Sequence, residues 1–216
     1  MPGTLDFKGL VSVFRAAAAK VKAGTDALGE LDSAIGDGDH GVAMGRAMDA
    51  LVKGIDDCPA DDLGTLIQGV AWSVMSIDAG STGPLMGSLF MGMVEPVGDA
   101  TEIDSPLLAA MLAAGLAKLR SISKAQVGDK TMMDALVPAV EALEKSAASG
   151  EPVAAALDKA AAAAEAGAAS TKDFQAKFGK ARNLGERSIG HQDPGATSMA
   201  MLFRGFAAGA VSLETS

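Results

Sequence analysis

Residues 154–170, AAALDKAAAAAEAGAAS, decide the fold class of this chain. Alanine has the highest intrinsic helix propensity, and the few charged residues in this stretch recur at helical spacing. The small side chains also allow neighbouring helix backbones to approach closely. The whole chain shares this character, because 49% of its residues are hydrophobic, only 4% are aromatic and tyrosine is absent. Strands favour β-branched and aromatic residues, so we expect an all-α fold rather than a β-sandwich.

Periodic apolar segments on both sides of this stretch predict eight amphipathic helices in total. Clusters of Gly, Pro, Asp and Ser separate the segments, and no pair of β-branched runs flanks a hairpin turn. The predicted bounds are residues 5–24, 40–56, 61–77, 83–95, 105–122, 130–147, 151–170 and 194–212. A length of 216 residues is typical of one domain, so we expect a single domain over residues 1–216.

Charge and cysteine usage exclude several functional classes. The formal net charge of −9 and the absence of a Lys/Arg cluster argue against nucleic acid as a partner. One cysteine, Cys58, allows no disulfide framework and no thiolate metal site. The beginning of the chain lacks the pattern of a signal peptide, and no uninterrupted apolar run reaches the roughly 18 residues of a spanning helix. We therefore expect a cytoplasmic protein that binds no membrane.

The unusual chemistry lies in alternate connections between the predicted helices. If consecutive helices are antiparallel, as short connections favour, the first, third, fifth and seventh connections lie at one end of the bundle. Those four connections are rich in Gly, Asp or basic residues, whereas the other three are ordinary turns. The four are IGDGDHG (35–41), DAGSTGPL (78–85), KAQVGDKT (124–131) and FGKARNLGERSIGHQDPG (178–195). We predict one site at this end, built from all four.

The first connection contains G-x-G-x-x-G but does not fit a dinucleotide turn. That fingerprint needs a preceding buried strand, whereas GELDSAI (29–35) is interpreted as a short link after a helix. An EF-hand loop starting at Asp37 would require a glutamate where Met48 stands, and GDKT lacks the remainder of a P-loop. Asp32, Asp37 and Asp39 instead predict a hard-cation site, most naturally for Mg²⁺. The alternative is that these aspartates cap the next helix and face solvent.

The other three connections suit a phosphate-bearing ligand. Ser81 and Thr82 precede a helix whose first turn can bind an anion, and Asp193 precedes Pro194 and Gly195 in a second such turn. His40 is expected to bind a phosphate oxygen. Lys130, Lys180, Arg182 and Arg187 offer positive charge, the last three on the longest connection, where we expect a lid; Met132 is expected to line an adenine pocket. The residues together predict a magnesium-dependent nucleotide site.

Four ordered motifs resemble those of a known kinase family. They are LDSAIGDGDHG (31–41), GSTGPLMG (80–87), GDKTMMDALVPA (128–139) and LGERSIGHQDPGATS (184–198). Together they closely resemble the L subunit of bacterial dihydroxyacetone kinases and the nucleotide-binding domain of the fused, ATP-dependent enzymes. The resemblance covers nearly the whole chain. It implies a closed barrel of eight antiparallel helices that binds ADP or ATP at one end, with two Mg²⁺ ions.

The resemblance also implies residue roles. Asp32, Asp37 and Asp39 would be the metal ligands and would act in catalysis through the metal. The residues that would contact the nucleotide are His40, Gly41, Val42, Ala43, Ser81, Thr82, Ser123, Met132, Lys180, Arg187, Asp193, Pro194 and Gly195. Ser123 stands where the family often has glycine, and Lys180 stands where some members have arginine.

In the family, a separate K subunit holds dihydroxyacetone, and a phosphohistidine M subunit of the phosphotransferase system rephosphorylates bound ADP in one branch. The resemblance therefore implies a transferase that is one subunit of a dihydroxyacetone (glycerone) kinase. It would be active together with a K subunit, with the phosphohistidine M subunit as the phosphoryl donor to bound ADP. A homodimer is left open. The alternatives are an ATP-dependent kinase subunit for a related ketose or tetrose, a magnesium-dependent ADP-ribosyl hydrolase-like enzyme, and a nucleotide-sensing module without catalysis.

Overall fold

The structure, a computed structural model, describes residues 3–212, so the ends of the predicted 1–216 domain lie outside the described residues. The described part folds into nine α-helices and three short 3₁₀ helices, Glu95–Val97, Thr171–Asp173 and Lys180–Ser188. The α-helices are α1 Phe7–Lys22, α2 Thr25–Ile35, α3 His40–Asp56, α4 Leu63–Met75, α5 Thr82–Gly92, α6 Ser105–Ile122, α7 Met133–Ala148, α8 Val153–Ser170 and α9 Pro194–Ser212. Within this range the only extended pairing is one isolated bridge between Leu5 and Ile103. The predicted all-α class is confirmed.

Eight of these helices form a closed ring. Going round it, α1 packs against α9, α9 against α8, and each helix then packs against its predecessor in the chain back to α3, which contacts α1 again. The eight helices of the ring correspond to the eight predicted segments. The predicted closed barrel of eight helices is therefore confirmed.

The second helix, α2, was not predicted as a helix. It occupies the segment interpreted as a link, and it lies against α3 and α9 outside the ring. Leu28 and Ile35 are buried on one face of α2, at the spacing that a helix requires. The interpretation of residues 29–35 as a short link is wrong, because packing against α3 stabilises a helix that its polar residues obscure. Since α2 lies within the first connection, the alternation of the remaining helices is unchanged.

Close approach of helix backbones holds the ring together, as the small residues predict. A Cβ atom added at Gly205 of α9 would lie 2.3 Å from the Cα of Ala17 in α1, and one added at Gly209 would lie 2.6 Å from the Cα of Val13. Inside the barrel, the aromatic rings of Phe14 and Phe90 pack edge to face, with their centroids 5.7 Å apart. Glycine at the seams and phenylalanine in the interior together give a tightly packed barrel.

One described helix, α6, is long and apolar enough to cross a membrane by length and composition alone, with a mean hydropathy of 1.2 over 18 residues. A core helix can have the same length and composition, and α6 packs between α5 and α7 in the barrel. Its buried residues, among them Leu112 and Leu119, belong to the same hydrophobic cluster as the rest of the barrel.

Candidate functional site

A cavity of about 480 Å³ opens at one end of the barrel and is lined by residues from all four predicted connections. Its size is typical of a small-molecule site. The first residues of four helices lie in its wall: His40 of α3, Thr82 of α5, Met133 of α7 and Pro194 of α9. These four helices therefore run in the same direction, as the alternation of the connections predicts.

The helix ends make the floor of the cavity favourable for anions. The first N–H groups of an α-helix have no partner within the helix, and the helix dipole places partial positive charge there. At α5, the hydroxyl of Ser81 forms no capping hydrogen bond to the helix, and both Ser81 and Thr82 line the cavity. Phosphate groups are bound well by such ends.

Three carboxylates stand together in the cavity wall beside the start of α3. The ligand oxygens of Asp32, Asp37 and Asp39 all lie within 4.8 Å of one another. Asp32 comes from the last turn of α2, and its Oδ2 accepts a hydrogen bond of 3.3 Å from the backbone N–H of His40. Asp37 and Asp39 are exposed in the short link to α3. Hard divalent cations prefer carboxylate oxygens, so this cluster fits Mg²⁺ by its chemistry and by its spacing.

Glycine allows the three carboxylates to converge. Gly38 has a φ of 79°, a conformation that side chains with a Cβ adopt at a cost. A Cβ atom added at Gly36 would lie only 2.2 Å from Oδ1 of Asp32. The chain therefore turns at Gly38, and the absence of a side chain at Gly36 leaves room for the first carboxylate.

The capping alternative applies to Asp32, whose carboxylate accepts from the first N–H of α3, but not to Asp39. Asp39 occupies the N-cap position of α3, but its side chain makes no capping hydrogen bond. By contrast, Asp6, Asp62 and Asp104 cap α1, α4 and α6 through their side chains. The carboxylate of Asp39 is therefore left available for a ligand.

Lys180 reaches this cluster from the long connection between α8 and α9. Its ammonium contacts Oδ2 of Asp37 and lies 3.5 Å from Oδ2 of Asp39. The hydrogen bond from Lys180 lowers the pKa of Asp37, and in return the bond to Asp37 raises the pKa of Lys180. The connection thus covers one side of the cavity and places a cation beside the acidic cluster.

The turn at the start of α9 is built around a buried carboxylate. Oδ2 of Asp193 accepts a hydrogen bond of 2.7 Å from the N–H of Ala196, so this side chain caps α9. Burial raises the pKa of Asp193 to about 7, with the neighbouring carboxylate of Asp134 adding to the rise and Lys130 opposing it. Pro194 and Gly195 follow in the cavity wall, where Gly195 lies against Met132.

His40 is held at the cavity by a residue that the sequence analysis did not identify. Its Nε2 lies 3.0 Å from the hydroxyl of Ser198, which itself donates to the backbone carbonyl of Gly195. Burial lowers the pKa of His40, while the carboxylates of Asp32 and Asp39 oppose that shift. The imidazole is thereby tied to α9 as well as to its own helix.

Most predicted site residues line the cavity. Besides the three aspartates, these are His40, Ala43, Ser81, Thr82, Ser123, Met132, Lys180, Asp193, Pro194 and Gly195. The oxygen of Ser123 accepts a hydrogen bond of 3.3 Å from the N–H of Ala125, close to the side where Met132 lies. The structure thus brings together residues that are far apart in the chain.

Three predicted nucleotide contacts lie outside the cavity. Gly41 packs against α2, since a Cβ atom there would lie 2.0 Å from the carbonyl oxygen of Thr25. Val42 is exposed in a groove between α2 and α3. Arg187 is exposed on the long connection and forms no ion pair with a described residue. None of these three residues lies in the cavity wall; Gly41 and Val42 lie on the side of α3 that α2 covers.

Lys130 also departs from its expected role. It lies in the cavity wall, but its ammonium donates to two backbone carbonyls instead of facing open space. Four further residues line the cavity although no sequence motif indicated them: Ser198, Met44, Met86 and Met199. Helical spacing from His40 and Gly195 would have identified Met44, Ser198 and Met199, since residues three and four apart share a helix face.

Comparisons with known proteins identify the family of the chain. A family model described as the DAK2 domain matches residues 34–208. The ADP-binding subunit of PEP-dependent dihydroxyacetone kinase 1 from Listeria innocua is 38% identical, over 85% of this chain and 87% of that subunit. The corresponding subunit from Escherichia coli is 37% identical, over 81% of this chain and 83% of that subunit.

A solved structure has the same fold. The dihydroxyacetone kinase of C. freundii in complex with AMP-PNP and Mg²⁺ matches with a TM-score of 0.72 and 27% identity. The match covers 92% of this chain and 33% of that one, so this chain spans about a third of the length of the C. freundii enzyme. The resemblance drawn from the four motifs is confirmed, and the chain belongs to the DAK2-domain family.

Proposed function

We propose that this chain is the ADP-binding subunit of a PEP-dependent dihydroxyacetone kinase. The observation that carries the proposal is the cavity itself, where three clustered carboxylates stand beside four helix N-termini. Carboxylates suit a divalent cation and helix N-termini suit phosphate, so one ligand satisfies both: a nucleotide with bound Mg²⁺. The related subunits named above support ADP as that nucleotide.

Asp32, Asp37 and Asp39 would hold the metal. We infer two Mg²⁺ ions, because three carboxylates and a diphosphate carry more negative charge than one divalent ion offsets. When bound, Mg²⁺ offsets charge that develops on the transferring phosphoryl group.

The residues of the chain supply position and electrostatics. The N–H groups at the starts of α5 and α9 orient the phosphates, with Ser81 and Thr82 in the wall beside them. Lys180 holds a positive charge beside the acidic cluster. The base is accommodated beside Met132 and Ser123, which both line the cavity. The described cavity residues include no evident general base, so we place that group on the partner.

The partners follow from the same proposal. Dihydroxyacetone is held on a separate K subunit that docks over the open end of the barrel, and an M subunit with a phosphohistidine rephosphorylates the bound ADP. The names of the related subunits support a multi-subunit, PEP-dependent enzyme. A cytoplasmic location is part of this proposal.

The structure favours this function over an ADP-ribosyl hydrolase. That chemistry needs carboxylates from several distant loops, whereas three of the acids in this cavity, Asp32, Asp37 and Asp39, all come from the end of α2 and its link to α3. The other acid in the wall, Asp193, is buried and caps α9.

The test compares two phosphoryl donors. The purified chain is incubated with a K subunit and dihydroxyacetone, once with ATP and once with PEP and the phosphotransferase proteins, and dihydroxyacetone phosphate is measured. Turnover only with PEP is expected. Turnover with ATP alone would identify an ATP-dependent kinase, and replacing dihydroxyacetone by a tetrose tests the related sugars. No turnover with either donor, together with retained ADP binding, would favour a nucleotide sensor and overturn the proposal.

A further inference from the structure

Lys130 combines an unusual backbone with a fully buried side chain. Its φ is 61°, and among residues 3–212 it is the only non-glycine residue with a positive φ. Only 1% of the residue is exposed. A left-handed lysine and a buried ammonium are each unfavourable on their own, so compensating contacts must hold this residue in place.

Those contacts join the two ends of the long connection between α8 and α9. The ammonium of Lys130 donates to the backbone carbonyl of Thr171, where the connection begins, and to that of His191, where it returns to the cavity. One side chain from the α6–α7 connection thereby bridges two points that are far apart along the chain.

Further hydrogen bonds join the two ends of this connection, which we call its base. The N–H of Asp193 donates to Oγ1 of Thr171 over 2.9 Å, and the N–H of Gly190 donates to the carbonyl of Lys172 over 2.7 Å. The α6–α7 connection contributes a second tie, in which the N–H of Lys177 donates to the carbonyl of Asp129 over 3.1 Å. The base of the connection is therefore cross-linked around Lys130.

We propose that Lys130 is a positioning residue, whose ammonium holds both ends of the 171–193 connection together and so places the Asp193–Gly195 turn against the nucleotide. The proposal rests on the proposed function for its ligand, ADP with Mg²⁺. Lys130 itself contacts no phosphate, because its ammonium is already directed at the two carbonyls.

The charges around Lys130 explain why lysine suits this place. An ammonium has three donors, of which the carbonyls of Thr171 and His191 take two. The carboxylates of Asp193, Asp134 and Asp173 lie near enough to interact with its charge. A neutral side chain of similar length would leave the partly buried carbonyl of His191 without its donor and the carbonyl of Thr171 with the N–H of Phe174 alone. It would also leave the buried carboxylate of Asp193 without its nearby cation.

The test uses Lys130→Met, which keeps the apolar stem and removes the ammonium. ADP affinity is measured with Mg²⁺ by calorimetry well below the unfolding temperature, and amide hydrogen exchange of residues 171–193 is measured in the free protein. We expect about tenfold weaker ADP binding, which is the loss of one charge-assisted contact, and faster exchange across the connection.

The matched control is Leu143→Ala on α7. Leu143 is fully buried and does not line the cavity, so this variant lowers stability without touching the site. At a comparable loss in Tm, this variant is expected to bind ADP with a Kd within about twofold of the wild-type value. A twofold change in Kd is smaller than the change expected from the loss of one binding contact. Equal ADP affinity in Lys130→Met and Leu143→Ala would overturn the proposal.

A second pair of variants covers the case in which Lys130→Met does not fold. The double variant Lys130→Met/Asp193→Asn removes the buried acid together with the cation, and it is compared with Asp193→Asn alone. Weaker ADP binding and faster exchange in the double variant support the proposal, whereas identical behaviour of the two overturns it. If the wild type binds no ADP, the proposed function fails, and hydrogen exchange alone then decides whether Lys130 orders the connection.

Discussion

The ammonium of Lys180 contacts the carboxylate of Asp37, and this pair joins the tip of the α8–α9 connection to the acidic wall of the cavity. Both side chains are substantially exposed, at 59% and 46%. Exposed ion pairs contribute little to stability, because water and salt screen them. The contact is therefore suited to placing a charge at the site and not to holding the barrel together.

Lys180→Ala is expected to separate activity from stability. The Tm should stay within about 2 °C of the wild type, because the lost ion pair is exposed. Phosphoryl transfer with a K subunit should fall by about 100–1,000-fold, the range for removing one group that stabilises the transition state. The control is Arg187→Ala on the same connection, outside the cavity, which should leave the rate unchanged. A rate loss of equal size in both variants would contradict a specific role for Lys180.

Asp37→Asn tests the metal cluster. We expect magnesium-dependent ADP binding to weaken at least about tenfold, because changes that perturb a metal site commonly cost 10–100-fold. The free protein should keep its Tm, since the variant also removes one charge from three crowded carboxylates. Calorimetry with and without Mg²⁺ provides the measurement. Asp26→Asn, an acid in the first turn of α2 outside the cluster, is the control.

Gly36→Ala tests whether the shape of the loop positions Asp32. The new Cβ atom would lie 2.2 Å from Oδ1 of Asp32, so this carboxylate must move, and ADP affinity with Mg²⁺ should fall. The control is Gly29→Ala on α2, where the nearest atom to the new Cβ lies 3.6 Å away. That control should gain about 0.5–1 kcal/mol in unfolding free energy from helix propensity. Unchanged affinity in Gly36→Ala would show that the position of Asp32 does not matter.

The buried acid Asp193 predicts a pH dependence of stability. Burial raises its pKa from 3.8 to about 7, so the folded state binds this proton more tightly than the unfolded state does. The stability contributed by this proton is complete below about pH 4 and is lost as the pH rises through about 7. Asp193→Asn should remove that slope, and thermal unfolding of both proteins between pH 5 and 8 measures it. Parallel curves for the two proteins would contradict the shift.

Much of the fold was readable from the sequence. Apolar periodicity predicted the eight helices of the ring, and alternation of their direction placed the four glycine-rich and charged connections at one end. The helix α2 escaped prediction because Gly29 and its acidic residues hide an apolar face that has only Leu28 and Ile35 fully buried. Short helices of this kind depend on tertiary packing more than on propensity.

The sequence indicated which residue types form the site, but not where their side chains point. The aspartates, Ser81 and the Asp193–Gly195 turn lie where the motifs indicated. Lys130 could not be assigned from its charge, because a left-handed backbone turns its side chain towards the carbonyls of Thr171 and His191. Gly41 stands in the glycine-rich loop, where the sequence does not show that its lack of a Cβ lets α2 lie close to α3. Backbone conformation and neighbour contacts of this kind arise only in the folded chain.

The closure of the ring by α1 and α9 has a consequence for how the protein is made. During synthesis, the apolar face of α1 that contains Phe14 has no α9 to pack against until the last of the nine described helices has emerged. The wall of the cavity formed by Pro194 and Gly195 is completed at the same moment. A nascent chain is therefore expected to stay sensitive to proteases and unable to retain ADP until α9 docks, so that nucleotide capture would report completed barrel assembly.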